Sequence, residues 1–313
     1  MQPFAYQAPT SVEEAVALLA DPARQARPFA GGTDLLVQMR RGLFAPEMLV
    51  DVKRIPELNH ITFDPVEGLT IGAAVSCACL CDHPAVREHY PGLIDAASII
   101  GGAAIQRRAT LGGNLCNAAP SGDSIPAMIV LNATATLAGP KGIRTAPVAD
   151  FCTAPGKTVL TSGELLISIH FPTPAPNTGA RTRSGARTHS GARTHSGARY
   201  LRFIPRGEMD IAVAGAGAWL ALGDDTMTIL DARIALSAVA PTPLFVKAAG
   251  AALIGKAPTE EAFAAAATIA QEAARPISDV RGAAAQRRHL VGVLTRRALQ
   301  GALQRAKGET CDD

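Results

Sequence analysis

One small-residue motif occurs twice in the chain and restricts the backbone more than any other stretch. Pro28-Phe29-Ala30-Gly31-Gly32-Thr33-Asp34-Leu35-Leu36 comes first; Thr110-Leu111-Gly112-Gly113-Asn114 follows about eighty residues later and runs on to Ala118-Ala119-Pro120-Ser121-Gly122-Asp123. Adjacent glycines reach backbone angles that side chains forbid, and they remove the Cβ atoms that would keep a ligand from the main-chain N–H groups. Successive N–H groups turned to one side make a concave anion site. Two such loops in one chain point to a single long ligand with two phosphates.

The 313 residues leave room for two domains, or for one domain with distinct lobes. Apolar residues make up 48% and charged residues only 18%, as in a well-buried globular protein, although alanine supplies much of the apolar share. No run approaches the roughly eighteen apolar residues of a membrane span. The N-terminus lacks the charged-then-apolar pattern of a secretion signal, so a cytoplasmic location is expected. Net charge is +3, but five arginines (Arg181, Arg183, Arg187, Arg193, Arg199) lie in one repeat, and without them the balance is −2. With no basic stripe carrying interleaved aromatics, nucleic-acid binding is not expected.

Cys77, Cys79, Cys81, Cys116, Cys152 and Cys311 are too few and too irregular for a disulfide framework. The Cys77-x-Cys79-x-Cys81 spacing suits neither zinc nor iron–sulfur ligation. Alternation places these thiols on one face of a strand, or spreads them round a helical turn, as small buried hydrophobes in either case.

In chain order, the pattern predicts strand 4–6, a helix ending near Ala20 behind Thr10-Ser11-Val12-Glu13-Glu14, strand 27–30, a helix over 34–40 and strand 48–52. A hairpin is expected over 61–71, then helices over 76–81, 84–89 and 93–100, the second glycine loop, and strands at 134–138, 143–146, 159–160 and 165–171. Hexads of the type Gly-Ala-Arg-Thr-His-Ser fill 178–200. With no large apolar side chain they predict a mobile surface loop. Beyond it come strands 211–222 and 226–236 and helices over 244–253, 259–275 and 289–307. Gly215-Ala216-Gly217 is no dinucleotide fingerprint, because no third glycine follows and no helix starts there. The divisions expected are lobe one at 1–57, lobe two at 58–174, the repeat loop at 175–199 and a third, α+β domain at 200–313.

The Ala-Gly-Gly-Thr-Asp-Leu-Leu and Thr-Leu-Gly-Gly-Asn pair, followed by Ala-Ala-Pro-Ser-Gly-Asp, resembles the FAD-binding medium subunit of molybdenum hydroxylases, the xanthine dehydrogenase and carbon monoxide dehydrogenase family. The resemblance runs from Phe4 to about Ala306, the hexads apart. It implies an α+β fold: a two-lobed FAD-binding domain of the PCMH (vanillyl-alcohol-oxidase-like) type, then a C-terminal α+β domain with a sheet and helices. FAD is expected to lie extended between the lobes. The implied cofactor-binding residues are Phe29, Ala30, Gly31, Gly32, Thr33, Asp34, Leu35, Ile100, Thr110, Gly112, Gly113, Asn114, Asp123, Leu166 and Arg202. Ala30–Asp34 and Thr110–Asn114 would line the pyrophosphate, with main-chain N–H groups as chief donors and Thr33, Thr110 and Asn114 adding side-chain bonds. Asp123 would accept ribose hydroxyls, or serve as a turn residue after Ser121-Gly122. Ile100 and Leu166 would pack on the flavin, or in the core. Arg202 would stand near the isoalloxazine and stabilise its anionic reduced form, or be a surface charge.

The same resemblance implies an oxidoreductase subunit with no acid–base residue of its own for the organic substrate. Electrons would arrive from [2Fe–2S] clusters of a small subunit, fed by a molybdenum cofactor in a large subunit, and leave through FAD to an external acceptor. A dimer of heterotrimers is expected. The alternative is a stand-alone FAD-dependent oxidase or reductase, where a His or Cys often tethers the flavin; Cys116 is the nearby candidate.

Overall fold

The computed structural model describes residues 2–173, 195–207, 209–224 and 226–309. Its first lobe alternates strand and helix: β1 (Ala5–Gln7), α1 (Val12–Ala20), β2 (Ala26–Phe29), α2 (Leu35–Arg40) and β3 (Met48–Asp51). The strands are parallel, in the order β1-β3-β2. The Ser11 hydroxyl starts α1 by accepting from Glu14 N at 3.2 Å, while the Glu14 carboxylate accepts from Thr10 N at 3.1 Å. β3 is buried at every position, as a strand paired on both sides should be.

Lobe two opens with the expected hairpin, β4 (Ile61–Asp64) and β5 (Gly68–Gly72), and short helices α3 (Cys77–Asp82), α4 (Pro84–His89), α5 (Pro91–Ala97) and α6 (Ala103–Gln106). Ser76 caps α3 by accepting from Cys79 N at 3.2 Å. The three thiols are therefore spread round a turn, with Cys77 buried, Cys81 half-buried and Cys79 exposed. Burial pushes the Cys77 thiol up to about 12. Next come α7 (Leu111–Asn117), α8 (Ser124–Val130), β6 (Thr134–Gly139), β7 (Gly142–Pro147), β8 (Cys152–Ala154), β9 (Lys157–Thr158) and β10 (Leu165–Phe171). The main sheet is antiparallel, ordered β4-β5-β10-β6-β7.

The C-terminal domain is a meander of β11 (His195–Phe203), β12 (Ala214–Leu222), β13 (Ile229–Ser237) and β14 (Leu244–Phe245), with α9 (Lys247–Ala251), α10 (Glu260–Ala273) and α11 (Ala284–Ala306). Two of these strands depart from the sequence expectation. β14 occupies the start of a segment read as helix throughout. β11 reaches back into the repeat, so the boundary drawn at 175–199 is corrected: His195–Arg199 are strand, paired residue by residue with Leu222–Ala218. The physical reason is close packing. At Gly197 an added Cβ would lie 2.2 Å from the Ala302 carbonyl of α11, so small residues are what this contact demands. The hexads at 178–194 lie outside the described residues.

β12 is buried throughout because both faces are covered. Ala214, Ala216, Ala218, Leu220 and Leu222 pack with α10 and α11 in one core, while Trp219 and Ala221 join the core of lobe two, the period-two split of a strand. The glycines answer the crowding: a Cβ at Gly217 would meet Pro126 of α8 at 3.1 Å, and one at Gly215 would meet Tyr200 and Ser237 at under 2.5 Å.

A charged cluster fastens this domain to lobe two. The Asp95 carboxylate on α5 takes both terminal nitrogens of Arg305 on α11 at 2.6 and 2.7 Å, Tyr200 N of β11 at 3.0 Å and Arg199 at 3.3 Å. Asp95 is about 11% exposed in its side chain, so removing the carboxylate takes the shared acceptor from two guanidinium groups in a poorly solvated seam. Asp95→Ala is expected to cost about 3–5 kcal/mol, read as a lower urea midpoint at unchanged slope. A change under about 1 kcal/mol would show that water replaces the carboxylate freely.

Candidate functional site: the cleft between the glycine motifs

The first motif packs backbone to backbone against the residues just ahead of the second. An added Cβ at Gly31 would stand 1.8 Å from the Arg108 carbonyl oxygen, and one at Gly112 would stand 2.5 Å from the Ala73 oxygen. Gly32 takes a left-handed φ of +73°, turning the chain above the Phe29 ring and into α2. The second motif is not the loop the sequence suggested but the first turn of α7. Thr110 caps that helix, its Oγ1 accepting from Gly113 N at 2.8 Å. Lobe one and lobe two are further tied by Gln38 Nε2 donating to Asn117 Oδ1 at 2.9 Å.

A cleft runs along this contact. Of the residues expected at the site, Ala30, Gly31, Gly32, Thr33, Asp34, Leu35, Ile100, Thr110, Gly112, Gly113, Asn114 and Leu166 line it. Among the described residues no acceptor takes the N–H groups of Gly32, Thr33 or Asp34. Unmet main-chain donors facing a cleft are poised for a ligand's oxygens. Asn114 accepts the Ser124 hydroxyl at 2.6 Å through its Oδ1, leaving its amide nitrogen for the cleft. Thr110 has its oxygen engaged in the cap and retains only its hydroxyl proton as a donor. Leu165 and Leu166, at the start of β10, both line the cleft, and a bulge follows them between Leu166 and Ser168.

Charge is sparse. Arg27 and Asp34 are the charged side chains in the lining, and burial pushes the Asp34 carboxyl up. A second cation stands behind the first motif: Lys53 Nζ donates to the Ala30 carbonyl at 3.1 Å and to Asp51 at 2.7 Å, and lies 4.2 Å over the Phe29 ring. Phe29 is thus a support beneath the loop and not part of the lining.

Asp123 and Arg202 are also absent from the lining; the structure joins them to each other. Arg202 donates to Asp123 Oδ2 at 2.5 Å, Tyr200 donates to Asp123 Oδ1 at 2.8 Å, and Arg202 also holds the Ile99 carbonyl at 2.8 Å. Arg202 is therefore a buried ion-pair member, not a surface charge, and reaches the cleft wall through Ile99 and its neighbour Ile100. Burial dominates at Asp123 and pushes its carboxyl up, against the opposing pull of Arg202 and Tyr200. At Cys116, which lines the cleft, burial, with a smaller contribution from Cys152, pushes the thiol up to about 12. A thiol held protonated is a poor nucleophile, which weighs against a covalent tether there. Sequence reasoning missed Arg27, Gln38, Phe44, Asn117 and Lys53. Gln38 and Asn117 follow the two motifs by about one helical turn, the available signal.

The cleft presents unmet main-chain donors between two lobes of an α+β domain. The chain matches the family described as FAD binding domain in molybdopterin dehydrogenase over residues 2–174, and that of the CO dehydrogenase flavoprotein C-terminal domain over residues 199–302. It is 34% identical to the carbon monoxide dehydrogenase medium chain of Hydrogenophaga pseudoflava, covering 96% of this chain and 98% of that one. To the xanthine dehydrogenase FAD-binding subunit of Escherichia coli O157:H7 it is 30% identical, covering 97% of each. The solved carbon monoxide dehydrogenase of Hydrogenophaga pseudoflava superposes with a TM-score of 0.86 at 35% identity, over 97% of this chain and 99% of that one. The chain belongs to the FAD-binding medium subunits of the molybdenum hydroxylase family and is an oxidoreductase component. The unpaired N–H groups and the close glycine contacts fit the diphosphate of FAD.

A more polar hollow shares Arg27, Pro28 and Phe44 with the cleft and extends to Leu160–Glu164. Its rim is held by Arg144, whose guanidinium meets Glu164 in a paired bond at 2.6 and 2.7 Å.

Two outcomes are expected. Gly31→Ala must move the Arg108 carbonyl, and FAD affinity measured by titration of the apoprotein should fall at least about tenfold with the far-ultraviolet spectrum kept; wild-type affinity would show that the loop yields. The Arg144 hydrogen bond holds the Glu164 carboxyl down, from 4.5 to about 2. Its contribution is complete above 4.5 and is lost as pH falls towards 2. Glu164→Gln should flatten the fall of stability in that window, and an unchanged profile would show no linkage.

Proposed function

We propose that this chain is the electron-transfer subunit of a three-part molybdenum enzyme, in a dimer of heterotrimers in the cytoplasm. Electrons would come from [2Fe–2S] clusters of a small partner and originate at a molybdenum cofactor in a large one. Bound FAD supplies a centre that accepts electrons and releases them to an external acceptor. The observation that carries the reading is the match of both domains, along nearly the whole chain, to medium chains of enzymes with that name. Among the described residues no helix is long and apolar enough to cross a membrane.

What the chain's own residues do is bind and orient. Main-chain donors of Gly32–Asp34 and the first turn of α7 take the diphosphate oxygens, and the lobe contact at Gly31 sets their spacing. Ile100, Leu165 and Leu166 offer an apolar wall that excludes water from the ring system. The wall's position depends on Arg202, which grips the Ile99 carbonyl while paired with Asp123. The family resemblance implies Arg202 near the isoalloxazine and Asp123 at the ribose hydroxyls of the adenosine part.

The test is expression of the chain alone. About one FAD per chain, released on denaturation, with no turnover of an organic substrate until partner subunits are added, is the expected result. Autonomous substrate turnover would replace the reading with a stand-alone flavin oxidase or reductase. Absence of flavin after reconstitution would remove FAD binding itself.

A further inference from the structure

Four large apolar side chains that the fold leaves in water belong to two adjoining turns of the C-terminal domain. Met209 and Ile211 are 58% and 50% exposed, Ile277 is 70% exposed, and Val280, on a tight hairpin, is 98% exposed. Single exposed apolar groups are ordinary, but a group of them marks a contact surface. A polar frame brings these together. Asp210 meets Arg206 and Arg281, each at 3.5 Å, and so ties the first turn to the second. Asp279 and Gly282 exchange both main-chain hydrogen bonds at 3.2 Å across Val280 and Arg281. Asp279 also accepts from the buried Arg287 at 2.7 Å, and that guanidinium donates to the Val213 carbonyl at 2.9 Å. The turns that carry the apolar groups are therefore fixed from beneath.

Shape and charge identify the occupant. A residue 98% exposed at a hairpin tip makes the patch convex, so a rigid partner would need a fitted pocket, whereas a fluid layer moulds to it. Among the described residues, Arg206, Arg275, Arg281 and Arg288 lie on these turns and near the start of α11, each at least partly exposed. The acids exposed with them are Asp210 and Glu272, since Asp279 is taken up by Arg287. Apolar tips among an excess of cations match a layer that is apolar within and anionic at its surface. Arginine suits its boundary, where the stem lies in the apolar part and the head stays with the phosphates.

We propose that this patch is a lipid-docking surface. Val280 and Ile277 enter the headgroup–acyl boundary of an anionic bilayer, with Met209 and Ile211 beside them and the arginines on the lipid phosphates. An orientation follows. A Cβ at Gly102 would lie 3.8 Å from the Met209 sulfur, and Gly102 is two residues past Ile100 of the cleft wall, so docking turns that end of the cleft toward the bilayer. The surface is independent of what the cleft binds.

The full chain, alone and assembled with its partner subunits, would be floated with vesicles of mixed phosphatidylglycerol and phosphatidylcholine, and with phosphatidylcholine alone. Both forms are expected on the anionic vesicles, with partition falling as salt rises. Ile277→Ser with Val280→Ser should lower that partition at least about tenfold. Arg275→Gln with Arg288→Gln should do the same, each surface cation being worth about fivefold. Turnover of the assembled variants with a soluble acceptor should equal wild type. Wild type that stays off the anionic vesicles, or double variants that float as wild type does, would overturn the surface. Binding by the isolated chain that disappears on assembly would overturn it too, by making the patch a subunit interface.

Discussion

The cleft depends on a contact that has no room for a side chain. Gly31 of lobe one lies on the Arg108 carbonyl of lobe two, so the first motif meets the residues just ahead of the second main chain to main chain and not through flexible side chains. Within lobe two, Gly112 packs as closely against Ala73 and seats the start of α7. The Gly31 contact fixes the spacing between two sets of N–H groups, and spacing is what a diphosphate reads. The Gln38–Asn117 bond and the reach of Lys53 to the Ala30 carbonyl then hold the same edges from behind.

Such a site can be nearly free of charge because it is preorganised. Fixed dipoles in a cleft of low dielectric need no reorganisation when an anion arrives, and each hydrogen bond is stronger there than in water. The placement of the cations agrees. Lys53 stands behind the loop with its charge shared with Asp51, and Arg27 stands at the far end. Asp34 is the one acidic side chain in the lining, and its raised carboxyl lessens the repulsion it would exert on a phosphate.

The glycine motifs were legible in sequence because their constraint is local: adjacent glycines with polar flanks have few uses. Thr110 shows the limit. As a residue beside Gly-Gly it reads as a ligand donor, yet three-dimensionally it is a helix cap, since its hydroxyl oxygen meets the Gly113 N–H one turn on. Asp123 and Arg202, far apart in sequence, could be assigned only separately, and their mutual pairing depends on β11 crossing α5 and α8. β11 itself was hidden because the repeat's small residues look like loop composition. In the fold, glycine at 197 is demanded by the Ala302 carbonyl, and pairing with a wholly buried β12 replaces side-chain hydrophobicity as the source of stability. Arg27 and Phe44 gave no signal, being separated by a helix and joined only by the return of the chain to β3.

Burial of β12 on both faces also explains why the C-terminal domain bears on the cleft at all. Its outer face is satisfied by α10 and α11, but Trp219 and Ala221 are buried only when lobe two covers them, and Arg233 stacks on Trp219 while donating to the Val130 carbonyl of α8. Docking is therefore enforced by the hydrophobic effect along one strand and aligned by Asp95 at its neighbour. Once β11 is seated, Tyr200 and Arg202 fall beside Asp123, and Arg202 reaches the Ile99 carbonyl. The cleft wall at Ile100 is in this way positioned from outside the two lobes that form the cleft, which gives a separate domain, none of whose described residues lines the cleft, a part in shaping it.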